Sequence, residues 1–286
     1  MDLTNINEIK TLLSRHGFRF SKSKGQNFLT AAWVPEDIAD AAGLDGQTGV
    51  LEIGPGIGCL TEQLSESAGK VVSVELDTAL RPVLAETLAG RNNVEIVYGD
   101  ALKLNIPKLL DEKMPGMRHV VCANLPYNVT GPVISKLLKC RCFDSVTVMI
   151  QREVARRICA RPGTGEYGEF TVFVNWYARP EMLFDVPPDC FIPQPKVTSS
   201  VIRLDCRVSP PVEVKSEAMF MRVVRAAFAQ RRKTLLNALS TGFGELSKDE
   251  VEKCLLDSGF DPKVRGEVLS IGEFAKIADA FFTVLD

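Results

Sequence analysis

Several features that mark particular classes of protein are scarce or missing in this sequence. The 286 residues include only two histidines, and the eight cysteines form no C-x-x-C pair, so no metal site is expected. The scattered cysteines indicate reduced thiols in a cytoplasmic protein. No run approaches the ~20 apolar residues of a membrane span, and the N-terminal residues do not resemble a signal peptide. The formal net charge is −2, so any surface for nucleic acid must come from local clusters of basic residues.

Short apolar strands alternate with helical patterns over much of the chain. The strands are expected at 50–53, 71–74, 94–97, 119–123 and 145–150, followed by 181–186 and 198–204 on either side of a proline-rich loop. This alternation predicts an α/β fold with a parallel, doubly wound sheet. Helical patterns at 217–229, 231–241, 248–257 and 272–284 predict a smaller all-helical domain. We therefore expect two domains, at residues 1–207 and 208–286.

Three of the predicted strands end in groups that suit an adenosine-containing ligand. The glycines of the turn at 54–58 would let the backbone approach a ligand closely. Glu75 can accept hydrogen bonds from both ribose hydroxyls, and Asp100 can accept one from an adenine amine. The glycines follow G-x-G-x-G rather than G-x-G-x-x-G, and no basic residue near the turn suits a phosphate. S-adenosylmethionine is therefore favoured over NAD. Glu52 could either lie near the methionine part or simply be satisfied by neighbouring amides.

A fourth strand ends in Asn124-Leu125-Pro126-Tyr127. Asn124 offers a side-chain carbonyl, the residues around Pro126 offer backbone carbonyls outside the sheet ladder, and Tyr127 offers a flat ring. Two acceptors beside an aromatic face suit a planar base that bears an exocyclic amine. Taken alone, the same residues would also fit a strand followed by an ordinary proline turn.

Seven short stretches, taken together, resemble one known family. They lie at 24–29, 51–58, 74–77, 99–101, 124–128, 191–197 and 227–234. The sequence is similar to the bacterial small-subunit rRNA adenine-N6,N6-dimethyltransferases, which are relatives of the erythromycin-resistance methylases. Lys24 departs from the family, in which an aromatic residue is usual. The resemblance implies a Rossmann-like class I methyltransferase domain, a C-terminal helical rRNA-binding domain and S-adenosylmethionine as the cofactor.

The resemblance also implies roles for individual residues. The cofactor-binding residues would be Gln26, Asn27, Leu29, Gly54, Gly56, Glu75, Leu76, Asp100, Ala101 and Asn124. The catalytic residues would be Asn124, Leu125, Pro126, Tyr127 and Phe191, with Phe191 on the face of the target adenine opposite Tyr127. Hydrogen bonds from the amine to Asn124 and to the Leu125 or Pro126 carbonyl would free the nitrogen lone pair. No catalytic base is expected, because the proton leaves after the transfer from a strongly acidic ammonium.

Clusters of basic residues are expected to hold the RNA, although each could instead be a solvated helix face. They are Arg152, Arg156, Arg222, Arg225, Arg231, Arg232 and Lys233, with a further N-terminal group of Arg15, Arg19, Lys22 and Lys24. The expected partner is small-subunit rRNA or a pre-30S particle, bound by a monomer with no membrane association. Three alternatives remain: an assembly factor in which binding dominates, a large-subunit methylase of the erythromycin-resistance type, and a DNA adenine methylase, which the basic C-terminal helices disfavour.

Overall fold

The computed structural model of this chain describes residues 1–18 and 26–286. Arg19, Lys22 and Lys24 of the N-terminal basic group lie outside the described residues. Within the described ranges, no helix is long and apolar enough to cross a membrane. The same ranges contain no group of three or more histidine, cysteine, aspartate or glutamate side chains that could hold a metal ion.

The described chain forms two compact units. The sheet unit consists of Met1–Ala155 and Arg179–Cys206, and the helical unit consists of Arg156–Ala178 and Arg207–Asp286. This division differs from the expected boundary at 207/208, because residues 156–178 pack with the C-terminal helices.

The packing of residues 156–178 explains that difference. Within the helical unit, the fully buried ring of Trp176 stacks on Phe220 with 4.1 Å between ring centroids. The Tyr167 hydroxyl donates a hydrogen bond to the backbone carbonyl of Leu269 over 2.8 Å. Periodicity identifies the buried face of a helix but not the surface that covers it. The sequence alone therefore places residues 156–178 in the same domain as the strands next to them in the chain.

A seven-stranded sheet forms the centre of the sheet unit. In spatial order its strands are β4 (Val94–Tyr98), β3 (Lys70–Glu75), β2 (Thr48–Ile53), β5 (Arg118–Asn124), β6 (Ser145–Gln151), β9 (Ser199–Cys206) and β7 (Ala178–Val186). The strands β2 to β6 are parallel, and β9 runs antiparallel to β6. The order reverses between β2 and β5, which is where open α/β sheets bind ligands.

Helices and one small extra sheet complete the sheet unit. The helices are α1 (Ile6–Arg15), α2 (Trp33–Ala42), α3 (Cys59–Ser67), α4 (Arg81–Thr87), α5 (Ile106–Lys113), α6 (Thr130–Lys139) and α7 (Arg152–Ile158), which continues into the helical unit. The extra sheet pairs β1 (Phe28–Leu29) with β8 (Phe191–Ile192) in antiparallel register. Neither this sheet nor α5 was predicted. The apolar core between these elements includes Phe28, Leu29 and Phe191.

The helical unit contains five further helices. They are α8 (Glu169–Tyr177), α9 (Glu217–Ala229), α10 (Leu235–Gly242), α11 (Lys248–Asp257) and α12 (Ile271–Leu285). Ser247 and Ser270 begin α11 and α12 with capping boxes, in which the serine and the glutamate three residues later bond each other's backbone N–H groups. These signals explain why the C-terminal helices lie close to their predicted bounds.

Candidate active site

A cleft opens at the carboxyl ends of β2, β3, β4 and β5, and its free space, including the part open to solvent, is about 1120 Å³. Gly54 and Gly56, in the turn after β2, have φ values of +75° and +61°. Only glycine adopts such values readily, so these positions keep the turn tight without a side chain entering the cleft. A β-carbon at position 56 would lie 3.1 Å from the Phe28 ring. The predicted glycine turn therefore forms one wall of the cleft.

Glu75 lies at the end of β3 with its carboxylate held by backbone donors. Its Oε1 accepts from the Asp77 N–H over 2.6 Å, and its Oε2 accepts from the Gly56 N–H over 3.3 Å. Burial raises the pKa of this carboxyl, while the two N–H groups oppose that rise. Glu75 is thus fixed beside the glycine turn, as binding of a ribose diol requires.

Asp100 follows β4 and lines the cleft together with Leu76 and Ala101. Its Oδ1 accepts from the Leu102 N–H over 2.9 Å, which holds the side chain at the start of the loop. Lys136 of α6 donates hydrogen bonds to the carbonyls of Leu102 (2.7 Å) and Leu104 (2.5 Å). Sequence reasoning missed Lys136, because backbone acceptors leave no signature in a sequence.

The segment at 26–29 lines the same cleft. The Gln26 side chain donates to Asp77 Oδ2 over 2.9 Å, and the Asn27 carbonyl accepts from Asn124 Nδ2 over 3.3 Å. Leu29 pairs with Phe191 between β1 and β8. The four residues of this segment line the cleft, so the structure brings Gln26, Asn27 and Leu29 together with the glycine turn.

Asn124, the last residue of β5, faces this cleft. Because the Asn27 carbonyl can only accept, the Asn124 NH2 must be the donor, and this bond fixes the orientation of the amide. Its Oδ1 has no donor within hydrogen-bond distance in the described part of the chain, so it remains available as an acceptor.

The two backbone carbonyls of the motif differ in their availability. The Pro126 carbonyl accepts from the Val129 N–H and the Thr130 hydroxyl, each over 3.2 Å. The Leu125 carbonyl accepts no such bond from the residues that the structure describes. Of the two carbonyls that the sequence left open, the structure therefore favours Leu125 as the second acceptor for an amine.

The two aromatic rings of the predicted base site have different environments. Tyr127 is half-buried, lines the cleft and lies 2.6 Å from Ser199 Oγ through its hydroxyl. Burial raises the pKa of this phenol, so the hydroxyl stays protonated. Phe191 is only 2% exposed, packs in the core and is not among the described residues that line the cleft. Its stacking role stays a prediction, and this packing gives it a role in holding β1.

Glu52 is the second-to-last residue of β2, 1% exposed, at the floor of the cleft. Its Oε2 accepts hydrogen bonds from the hydroxyls of Thr61 and Ser73, both over 2.6 Å. Burial raises the pKa of this carboxyl to about 7, despite the two hydroxyl donors. Hydroxyls rather than backbone amides donate the hydrogen bonds to Glu52. Its carboxyl therefore changes between the neutral and the charged form near neutral pH.

In the sheet unit, Arg152 begins α7 with its side chain 42% exposed. Its guanidinium lies 3.4 Å from Asp185 Oδ2. An ion pair this exposed is weak, so Arg152 can exchange its partner for a phosphate at little cost.

The remaining predicted RNA-contacting residues lie in the helical unit. Arg222 pairs with Glu245 at 2.6 Å, and Arg225 pairs with Glu169 at 3.6 Å. Arg156, Arg232 and Lys233 are exposed. Arg231 differs from the others because its guanidinium bonds the carbonyls of Gly165 and Tyr167 and pairs with Glu267.

The chemistry of the cleft fits S-adenosylmethionine. Glu75 supplies a carboxylate for a diol, Asp100 supplies one for an aromatic amine, and the glycine turn leaves space beside Glu52 for a cationic group. The adjoining Asn124 and Leu125 supply acceptors for a second amine. Together with the sheet order, this arrangement defines a class I methyltransferase that uses S-adenosylmethionine.

Comparison with known proteins identifies the family. A family model described as ribosomal RNA adenine dimethylase matches residues 17–281. Proteins called ribosomal RNA small subunit methyltransferase A are 47% identical in Geobacillus thermodenitrificans (98% of this chain, 97% of the relative) and in Clostridium botulinum (96% and 99%). The chain belongs to the ribosomal RNA adenine dimethylase family, which confirms the resemblance seen in the sequence.

Two solved structures share this fold over most of their length. A dimethyladenosine transferase from Plasmodium falciparum matches with a TM-score of 0.74 and 26% identity, over 87% of this chain and 95% of that one. The 23S rRNA methyltransferase ErmE matches with a TM-score of 0.66 and 26% identity, over 88% and 98%. The predicted fold class, the methyltransferase activity and the cofactor are thereby confirmed.

Proposed function

We propose that this enzyme dimethylates N6 of adenosines in a loop near the 3′ end of small-subunit rRNA. The names of similar proteins and of the family support the substrate and the dimethylation. The observation that carries the proposal is the pair of acceptors, Asn124 Oδ1 and the Leu125 carbonyl, at the edge of the cofactor cleft. Two acceptors suit the two hydrogens of an adenine amine.

The residues of the chain would act mainly by positioning the amine. When bound, S-adenosylmethionine supplies an electrophilic methyl group. Hydrogen bonds from the amine to Asn124 Oδ1 and to the Leu125 carbonyl draw the nitrogen toward tetrahedral geometry, which frees its lone pair from conjugation with the ring. The Tyr127 ring offers a stacking face, and such contacts contribute roughly 1–3 kcal/mol per base. No base is required, because the proton leaves a strongly acidic ammonium after the transfer.

Dimethylation sets a further requirement on this site. After the first transfer the nitrogen keeps one hydrogen, so one of the two hydrogen bonds must be dispensable. The adenosine must also leave a helical stack to reach the cleft, so a loop or a flipped-out nucleotide is the expected target. The exposed basic groups Arg152, Arg156, Arg222, Arg225, Arg232 and Lys233 are suited to hold the RNA backbone.

We propose that the protein acts as a monomer in the cytoplasm on rRNA within a pre-30S particle. Eight free cysteines agree with a reducing compartment. The Asn124→Ala variant separates catalysis from an assembly role. If binding dominates, small-subunit maturation should survive the loss of transfer in this variant.

The test is mass spectrometry of ribosomal RNA after incubation with the protein and isotope-labelled S-adenosylmethionine. Naked small-subunit rRNA, a partly assembled small subunit and naked large-subunit rRNA should be compared. Labelled N6,N6-dimethyladenosine in either small-subunit sample, and none in the large-subunit sample, is expected. The reverse pattern would favour an activity like that named for ErmE and would discard the proposed substrate.

A further inference from the structure

Ser199 holds the Tyr127 ring from a different element of the fold. It is the first residue of β9, pairs in register with Gln151 at the end of β6, and is fully buried. Its hydroxyl lies 2.6 Å from the Tyr127 hydroxyl, a short and well-formed hydrogen bond. A residue of an interior strand thus anchors a ring that belongs to a loop.

This anchor has no substitute among the described residues. The Tyr127 hydroxyl has no other hydrogen-bond partner there, and the ring is half-buried, with one part facing the cleft. Tyr127 follows the turn at Pro126 and precedes α6, and its hydroxyl bond to Ser199 adds to the packing around the half-buried ring. Removing the Ser199 hydroxyl would keep the ring in its packed position and remove the one hydrogen bond that fixes its angle.

We propose that Ser199 is a positioning residue for the target base, and that its contribution is larger for the second methyl transfer than for the first. This inference rests on the proposed function. An unmodified adenine is held by two amine hydrogen bonds and by stacking, whereas N6-methyladenine has lost one of those hydrogen bonds. The alignment of the singly methylated base therefore depends more on the angle of the ring, which Ser199 sets.

The experiment measures single-turnover transfer to two RNAs that differ only in carrying adenosine or N6-methyladenosine at the target position. The variants are Ser199→Ala, Tyr127→Phe and the double variant, because both substitutions remove the same hydrogen bond and keep the ring. Ser200→Ala is the matched control: it removes a buried hydroxyl from the next position of β9, where the partner is Asp185. Ser199→Thr keeps the hydroxyl and should restore the wild-type ratio.

The second transfer should slow by roughly three- to tenfold more than the first in both single variants, which is the worth of about one hydrogen bond. The double variant should show no larger effect on that ratio than either single variant. Equal slowing of both transfers, or a ratio that also shifts in Ser200→Ala, would overturn the inference by reducing Ser199 to a general structural role. Failure of the wild-type protein to methylate either RNA would instead reject the proposed function.

Discussion

Replacing Glu52 by glutamine should stabilise the protein in the absence of cofactor. Glu52 is buried at the floor of the cleft, and burial raises the pKa of its carboxyl from 4.5 to about 7. The folded state therefore binds the proton more tightly than the unfolded state, and ionisation opposes folding. Glutamine has nearly the same shape, carries no charge and still offers a carbonyl oxygen to Thr61 and Ser73.

The size and the pH range of the effect follow from that shift. A pKa raised from 4.5 to about 7 corresponds to about 3 kcal/mol, because one pKa unit is worth about 1.4 kcal/mol. The free energy of unfolding of the wild-type protein falls by this amount as the pH rises from about 4.5 to about 7, and the fall is complete above pH 7. The advantage of Glu52→Gln should therefore be near zero at the acid end of this range and largest above pH 7.

Urea unfolding of the cofactor-free protein at several pH values measures this difference. Glu95→Gln is the matched control, since Glu95 lies in β4 of the same sheet and its pKa is lowered by the hydrogen bond from Lys113. The ionised Glu95 carboxylate stabilises the folded protein above its unfolded pKa, and this contribution is lost in acid. Glu95→Gln should therefore lower the free energy of unfolding at neutral pH and leave it unchanged at low pH. A Glu52→Gln effect that does not change with pH would refute the reasoning.

Three other predictions concern transfer and RNA binding. Asn124→Ala should lower the rate of methyl transfer by about 100-fold, as for loss of a group that stabilises a transition state. It should lower cofactor affinity by roughly fivefold at most. The control in both assays is Asn92→Ala, which replaces an exposed asparagine. Replacing Arg232 and Lys233 by alanine should reduce the salt dependence of RNA binding by about 0.7–0.9 in slope per lost phosphate contact; an unchanged slope would exclude this surface. Arg231→Ala should lower the melting temperature of the protein itself, because this side chain bonds the Gly165 and Tyr167 carbonyls.

The sequence predicted those parts of the fold that leave a local pattern. The strands of the parallel sheet and the capped C-terminal helices have strong periodicity and clear end signals, so they lie close to their expected positions. Helix α5 was missed, because it has only eight residues and contains Pro107. That proline is tolerated in the first turn, where its missing N–H has no partner to lose.

The sequence indicated which groups lie at the cleft, but not which neighbouring groups they bond. The glycine turn, Glu75, Asp100 and Asn124 lie around one cleft, as their positions at strand ends indicated. The sequence could not show which neighbour each group bonds: the Asn27 carbonyl on Asn124, or Ser199 on Tyr127. It also could not show that the Phe191 ring is buried, because an apolar residue in a loop suits either packing or stacking.

Helix α8 makes the core of the helical unit depend on two separate parts of the chain. It lies in the chain before β7 and β9, yet its Trp176 ring completes the buried cluster around Phe220. A gene fusion that joined only residues after 207 to another methylase would leave out one side of that cluster. A chain cut at the same point would carry α8 with its aromatic surface bare, which favours aggregation. An exchange of the C-terminal helices therefore also requires a change in the segment that contains α8.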